Sequence, residues 1–201
     1  MRFETLADFR EVFGGAHQAK FTLTKAPDAA NPADGSATVP DPAKPFIELG
    51  TDDAKVRYTI EPSDTLFYLY HSLQLFYANG GGDCYVVSVG AFASAVAEED
   101  LKKGLTAIYD EIGPTMLVVP DALLLPDPDS FKNVIVAMLS QCGNLGDRVA
   151  ILDVYGSNEM APTKLLDKKI HDLITAFRSA TGTEFLKYGM AYFPAVQASL
   201  V

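Results

Sequence analysis

Asp127 to Asp153 reads DPDSFKNVIVAMLSQCGNLGDRVAILD. Asp127 followed by Pro128 is a helix start, because a first-turn proline gives up no needed N–H and an aspartate caps the free ones. Phe131, Val134, Ile135, Met138, Leu139 and Cys142 then fall on one helical stripe. Gly143 is the expected C-cap. Val149-Ala150-Ile151-Leu152 is a continuous apolar run too short for a helix, the pattern of a strand buried on both faces. A core helix feeding such a strand is the repeating unit of an α/β fold.

The pattern extends in both directions. Upstream, Met116-Leu117-Val118-Val119 is a second buried strand, and Leu101, Leu105 and Ile108 mark a helix from about Glu98 to Ile112, ended by Gly113-Pro114. Cys84 to Val89 reads as a further strand. Leu66, Leu69, Tyr70, Leu73, Phe76 and Tyr77 give a helix whose N-cap is Ser63 or Asp64. Asn79, Gly80, Gly81 and Gly82 stop it and demand a positive φ. Downstream, Leu166, Ile170, Leu173, Ile174 and Phe177 mark a helix closed by Gly182, and Tyr188 to Phe193 reads as the last strand. The order β-α-β-α-β-α-β predicts an α/β fold with a mostly parallel sheet flanked by helices.

Residues 16–62 differ. They hold six of the chain's twelve prolines, and Ala26 to Pro45 has the composition of a long surface loop. Phe21 to Thr24 and Val56 to Ile60 alternate with period two, as strands do. The expected organisation is an α/β core from residues 1–15 and 63–201, with a small β-rich insertion at 16–62. Leu6, Phe9 and Phe13 place a short helix in the first segment, stopped by Gly14-Gly15.

Charge narrows the function. The formal net charge of the 201 residues is -10, and no basic cluster appears, a pair such as Lys168-Lys169 being too small to count. Nucleic acid and anionic membrane surfaces both need a basic face, so neither is an expected partner. No run approaches the roughly 18 apolar residues of a membrane span. MRFETLADFREVF has acidic residues and no apolar run, unlike a secretory signal, so a cytoplasm is the expected site of folding.

Neither G-x-x-x-x-G-K-[ST] nor G-x-G-x-x-G is present, and the glycines at 80–82 precede a strand instead of following one. Cys84 and Cys142 belong to no C-x-x-C pair and are expected to be reduced and buried. Cys142 lies on a core stripe, where a thiol is inert even if His171 and Asp172 come near. His17, His71 and His171 have no metal-ligand spacing. Asp127 and Asp129 lack the further ligands of a calcium loop. No catalytic residue, cofactor or metal is therefore expected. Asp121 and Asp153 stand at strand carboxyl ends, where doubly wound sheets collect ligands. A small α/β binding module or enzyme using those ends is the alternative reading.

Several segments together resemble the contractile tail-sheath family. They are FREVFGG (Phe9 to Gly15), YLYHSLQLFYANGGGDCYVVSVG (Tyr68 to Gly90), VVPDA (Val118 to Ala122), QCGNLGDRVAILD (Gln141 to Asp153) and KYGMAYFP (Lys187 to Pro194). Each is weak alone, and the ordered set is specific. The residues that carry it are Gly14, Gly15, Asn79, Gly80, Gly81, Asp147, Arg148, Asp153 and Pro194. The resemblance implies a non-enzymatic subunit that stacks with other sheath subunits in helical rings around an inner tube protein. The rings shorten and drive the tube through a target envelope, in a phage tail or an injection particle. Family members also carry an N-terminal arm and a C-terminal domain that exchange strands between subunits. This chain resembles the core portion alone, so by itself it is expected to be monomeric.

Overall fold

The computed structural model describes residues 1–25, 46–51, 55–92, 94–157 and 168–195. In chain order the first elements are β1 (Arg2–Phe3), α1 (Leu6–Phe13), β2 (Phe21–Lys25), β3 (Phe46–Leu49), β4 (Val56–Pro62) and α2 (Leu69–Ala78). Then come β5 (Cys84–Tyr85), α3 (Glu98–Ala107), β6 (Met116–Val118), α4 (Pro128–Leu145), β7 (Val149–Leu152), α5 (Lys168–Thr181) and β8 (Gly189–Ala191). Short 3-10 turns cover Pro120–Leu124 and Leu186–Tyr188. The chain forms two compact units, Met1–Ala16 with Phe67–Val201, and His17–Leu66.

The larger unit is built on α4. Asp127 caps it by accepting from the Ser130 N–H at 2.8 Å, with Pro128 in the first turn. Its stripe of Phe131, Val134, Ile135, Met138, Leu139 and Cys142 is buried against Leu101 and Leu105 of α3 and Leu117, Ala150 and Leu152 of the sheet. The helix runs through Gly143 to Leu145 and is capped by Gly146 at φ 70. Gly143 is thus not the C-cap. A Cβ there would stand 2.0 Å from the Phe185 ring, so the missing side chain makes room for an aromatic.

The fold is α/β, but the expectation of a mostly parallel sheet is not met. Among the described residues only β6-β7-β8 is parallel; β1-β5 and β2-β4-β3 are separate antiparallel ladders. The difference lies at 84–89. Strand pairing there ends at Tyr85, continued by one reciprocal pair of bonds between Met1 and Val86. The apolar run reflects burial between two clusters. Val86 packs with Phe3, Phe9, Tyr70 and Leu73, while Tyr85, Val87 and Val89 pack on the α3 side. Gly104 of α3 admits Val89, whose Cγ1 lies 2.7 Å from where a Cβ would be. An apolar run fixes which faces are buried, not which edge is paired.

The smaller unit is the β2-β4-β3 sheet. Its register puts Phe21, Leu23, Ile47, Leu49, Val56, Tyr58 and Ile60 on one face. Thr22, Thr24, Glu48, Arg57, Thr59 and Glu61 take the other, where Arg57 lies 3.8 Å over the Phe46 ring. The Ala26 to Pro45 loop expectation lies outside the described residues.

Candidate functional site

Arg148 is 3% exposed, deeply placed for a guanidinium. It stands just before β7 and reaches the end of α3. Its Nη1 donates to the Ile108 carbonyl at 3.0 Å and its Nη2 to the Glu111 carbonyl at 2.9 Å. Helix ends leave carbonyls without partners, and Arg148 supplies the donors. Its Nε donates to Asp147 Oδ1 at 2.8 Å, which holds the Asp147 carboxyl below the usual carboxylate range. Asp147 and Arg148 thus form a clamp between α3 and β7.

Asp121 makes a second long-range tie. It follows β6, and its Oδ1 accepts from the Tyr68 N–H at 2.6 Å, just ahead of α2. This cap replaces the expected Ser63 or Asp64, for the helix begins at Leu69. Burial raises the Asp121 carboxyl above its ordinary range, against the two backbone N–H donors of Tyr68 and Leu69. Asp153 stands at the carboxyl end of β7. It is exposed, yet crowding by protein atoms raises its carboxyl as well.

A cavity of about 1210 Å³ lies between the segment from Tyr85 to Ala91, helix α3 and the segment from Met116 to Asp121. Val87, Val89, Leu101, Leu105, Ile108 and Leu117 give it apolar walls. Asp121 lines it and Asp153 does not. The two acids at the strand ends therefore do not both line this cavity. With Asp121 bound to backbone N–H groups, the cavity can enclose an apolar group and offers no proton-transfer pair from these acids.

The other motif residues have local tasks. Gly14 ends α1 at φ 82, and Gly15 borders open space. Asn79 donates from Nδ2 to the Leu75 carbonyl at 2.8 Å, and Gly80 takes φ 83. A Cβ on Gly81 would stand 2.5 Å from the Phe76 ring. The Phe193–Pro194 peptide is cis. Cys142 is fully buried, and burial pushes its thiol up to about 11, against the nearby Arg148 charge. Cys84 is only half-buried, contrary to expectation, and lies 3.2 Å from the Tyr77 hydroxyl. Its strand stops at Tyr85, which leaves that edge thinly covered. Among the described residues, no three His, Cys, Asp or Glu side chains gather as metal ligands, and no helix is long and apolar enough to cross a membrane.

Sequence reasoning missed the cavity, the Gly143–Phe185 approach and the bonds from Arg10 to the Tyr70 hydroxyl, one of them 2.7 Å long. All three join segments far apart in the chain, which periodicity does not connect.

No protein-family model matches the chain, and no curated protein matches it. The tail-sheath resemblance rests on the motifs quoted above.

Proposed function

We propose that this chain is the core of a contractile-sheath subunit, a structural part that polymerises around an inner tube. Subunits assemble in a bacterial cytoplasm and act in a phage tail or injection particle. The observation that carries the reading is where the motif residues go. Asp121 of VVPDA holds the start of the helix in YLYHSLQLFYANGG, and Arg148 of GDRVAILD holds the end of α3. These residues tie elements into a body that can move as a unit, which a contracting lattice requires of its subunits. The test is to co-express a full-length polypeptide containing this sequence with its tube protein and image the product by electron microscopy. Sheathed tubes support the reading; a polypeptide that never polymerises, with or without the tube, sinks it.

A second reading has one observation in its favour. The cavity beside Asp121 is large enough for a small apolar ligand. In that case the chain is an α/β binding module. Native mass spectrometry of the protein purified from its host separates the two, since only the module retains a small molecule of defined mass.

A further inference from the structure

Two backbone edges face each other across the cavity. Thr115 accepts from the Val149 N–H at 2.9 Å, so Thr115 and Leu117 turn their backbone groups toward β7. Alternation turns the N–H and C=O of Met116 and Val118 the other way. On the facing segment, Val86 exchanges both of its bonds with Met1, so Cys84 and Val86 turn toward β1. Tyr85, Val87 and Val89 pack on the α3 side and Val86 in the other cluster, the period of an extended chain. Their backbone groups therefore point away from β1. Val87, Val89, Met116 and Val118 all line the cavity, yet among the described residues no backbone bond joins the two edges. Backbone groups left unpaired beside apolar walls are costly.

We propose that the chain has a second, closed state, in which Val87 to Val89 pair in parallel with β6 and fill the cavity. Parity sets the register. Leu117 belongs to the core under α3 and α4, as the packing of Val87 and Val89 does. Setting Val87 beside Leu117 keeps each side chain on its present face; a slip of one residue would invert them all. In that register the Val87 N–H donates to the Met116 carbonyl. The Val118 N–H donates to the Val87 carbonyl, and the Val89 N–H to the Val118 carbonyl. Pro120 carries no N–H, which ends the ladder there. The β1-β5 pair and β6-β7-β8 become one sheet, with α3 as the crossover between its second and third strands. Closure takes the apolar walls out of water. The inference goes beyond both readings of function. It bears on the second, because an apolar ligand in the cavity would hold the open state and closure would expel it.

Amide hydrogen exchange of the unmodified chain, read by NMR, tests this first. Leu117, bonded to β7, is the internal reference. In the open state the Val87, Val89 and Val118 amides exchange like those of an unstructured peptide. A closed state holding about nine-tenths of the molecules slows all three about tenfold. Crosslinking tests it second. The register sets Ser88 beside Val118, and both side chains meet solvent. In a Cys84→Ser background, Ser88→Cys with Val118→Cys should form an intramolecular disulfide under mild oxidation, because neighbouring strands stand about 4.8 Å apart. Ser88→Cys with Met190→Cys, on the far edge of the sheet, should not. Free exchange at Val118 with Leu117 protected overturns the proposal. So does protection without the intramolecular disulfide, since something other than this segment then covers β6. Equal crosslinking of the Met190 pair, or disulfides formed only between molecules, overturns it as well.

Discussion

Arg148 donates to the backbone carbonyl of Ile108 at 3.0 Å, a buried bond joining the start of β7 to the end of α3. The same guanidinium holds Glu111 and Asp147. Replacing it with alanine takes a guanidinium donor from each of the Ile108 and Glu111 carbonyls and opens a cavity. Arg148→Ala should cost about 2–4 kcal/mol. Arg148→Lys should recover only part, since an ammonium cannot reproduce the planar fork. Urea unfolding checks this. A wild-type midpoint for Arg148→Ala would remove the clamp from the account.

The carboxylates divide into two groups with opposite pH effects. Asp147, held by Arg148, and Asp127, held by the Ser130 N–H, have lowered pKa values. A group depressed on folding stabilises above its unfolded pKa, and that stability is lost as pH falls through the folded value. Their effect is thus lost below about pH 4. Asp121, half-buried, and Asp153, exposed but crowded by protein atoms, are both raised, so each binds its proton more tightly when folded. Stability rises as pH falls through their folded values. The melting temperature should rise as pH falls through the raised folded values of Asp121 and Asp153 toward the ordinary carboxylate range, and fall below about pH 4. Asp153→Asn should flatten the first limb and Asp147→Asn the second. A variant curve parallel to wild type over its own limb contradicts that assignment.

The three glycines after α2 should respond unequally. Gly80 sits at φ 83, so Gly80→Val forces a β-branched residue into a left-handed conformation, at a cost of about 1–3 kcal/mol. Gly81→Val should also destabilise, because its Cβ meets the Phe76 ring at 2.5 Å. Gly82 borders open space at an ordinary φ, and Gly82→Ala should be neutral or slightly stabilising. Equal melting temperatures for all three variants would contradict this turn geometry.

What the sequence disclosed follows from range. The Asp127-Pro128 start of α4 and the strand Val149–Leu152 depend on local caps and unbroken apolar runs, and both were legible. Gly143 was misread because its partner is Phe185, and the α2 cap because its donor groups meet Asp121. β3 was missed because Phe46–Leu49 is short and follows Pro45 directly. The site divided in the same way. Asp121 and Asp153 were correctly placed near strand ends, but that only Asp121 borders the cavity depends on how 84–89 closes on the sheet. A two-sided apolar pattern does not encode that closure.

The two thiols should separate cleanly under a labelling reagent. Cys142 is fully buried on α4, with its thiol pushed up to about 11 by burial, so almost no thiolate exists at neutral pH and no path leads to it. It should react only through global unfolding, at a rate that tracks stability as urea is added. Cys84 is half-buried on a two-residue strand, its sulfur beside the Tyr77 hydroxyl. Parting β5 from β1 suffices to expose it, and that opening costs far less than global unfolding. A native sample should therefore gain one label quickly relative to the second. Mass spectrometry of the digested product should place the first label on Cys84. Cys142→Ser should remove the slow phase alone, and Cys84→Ser the fast one. Rapid labelling of Cys142 in the folded protein would mean that the α4 core opens locally, and the tight packing assigned to that helix would be wrong.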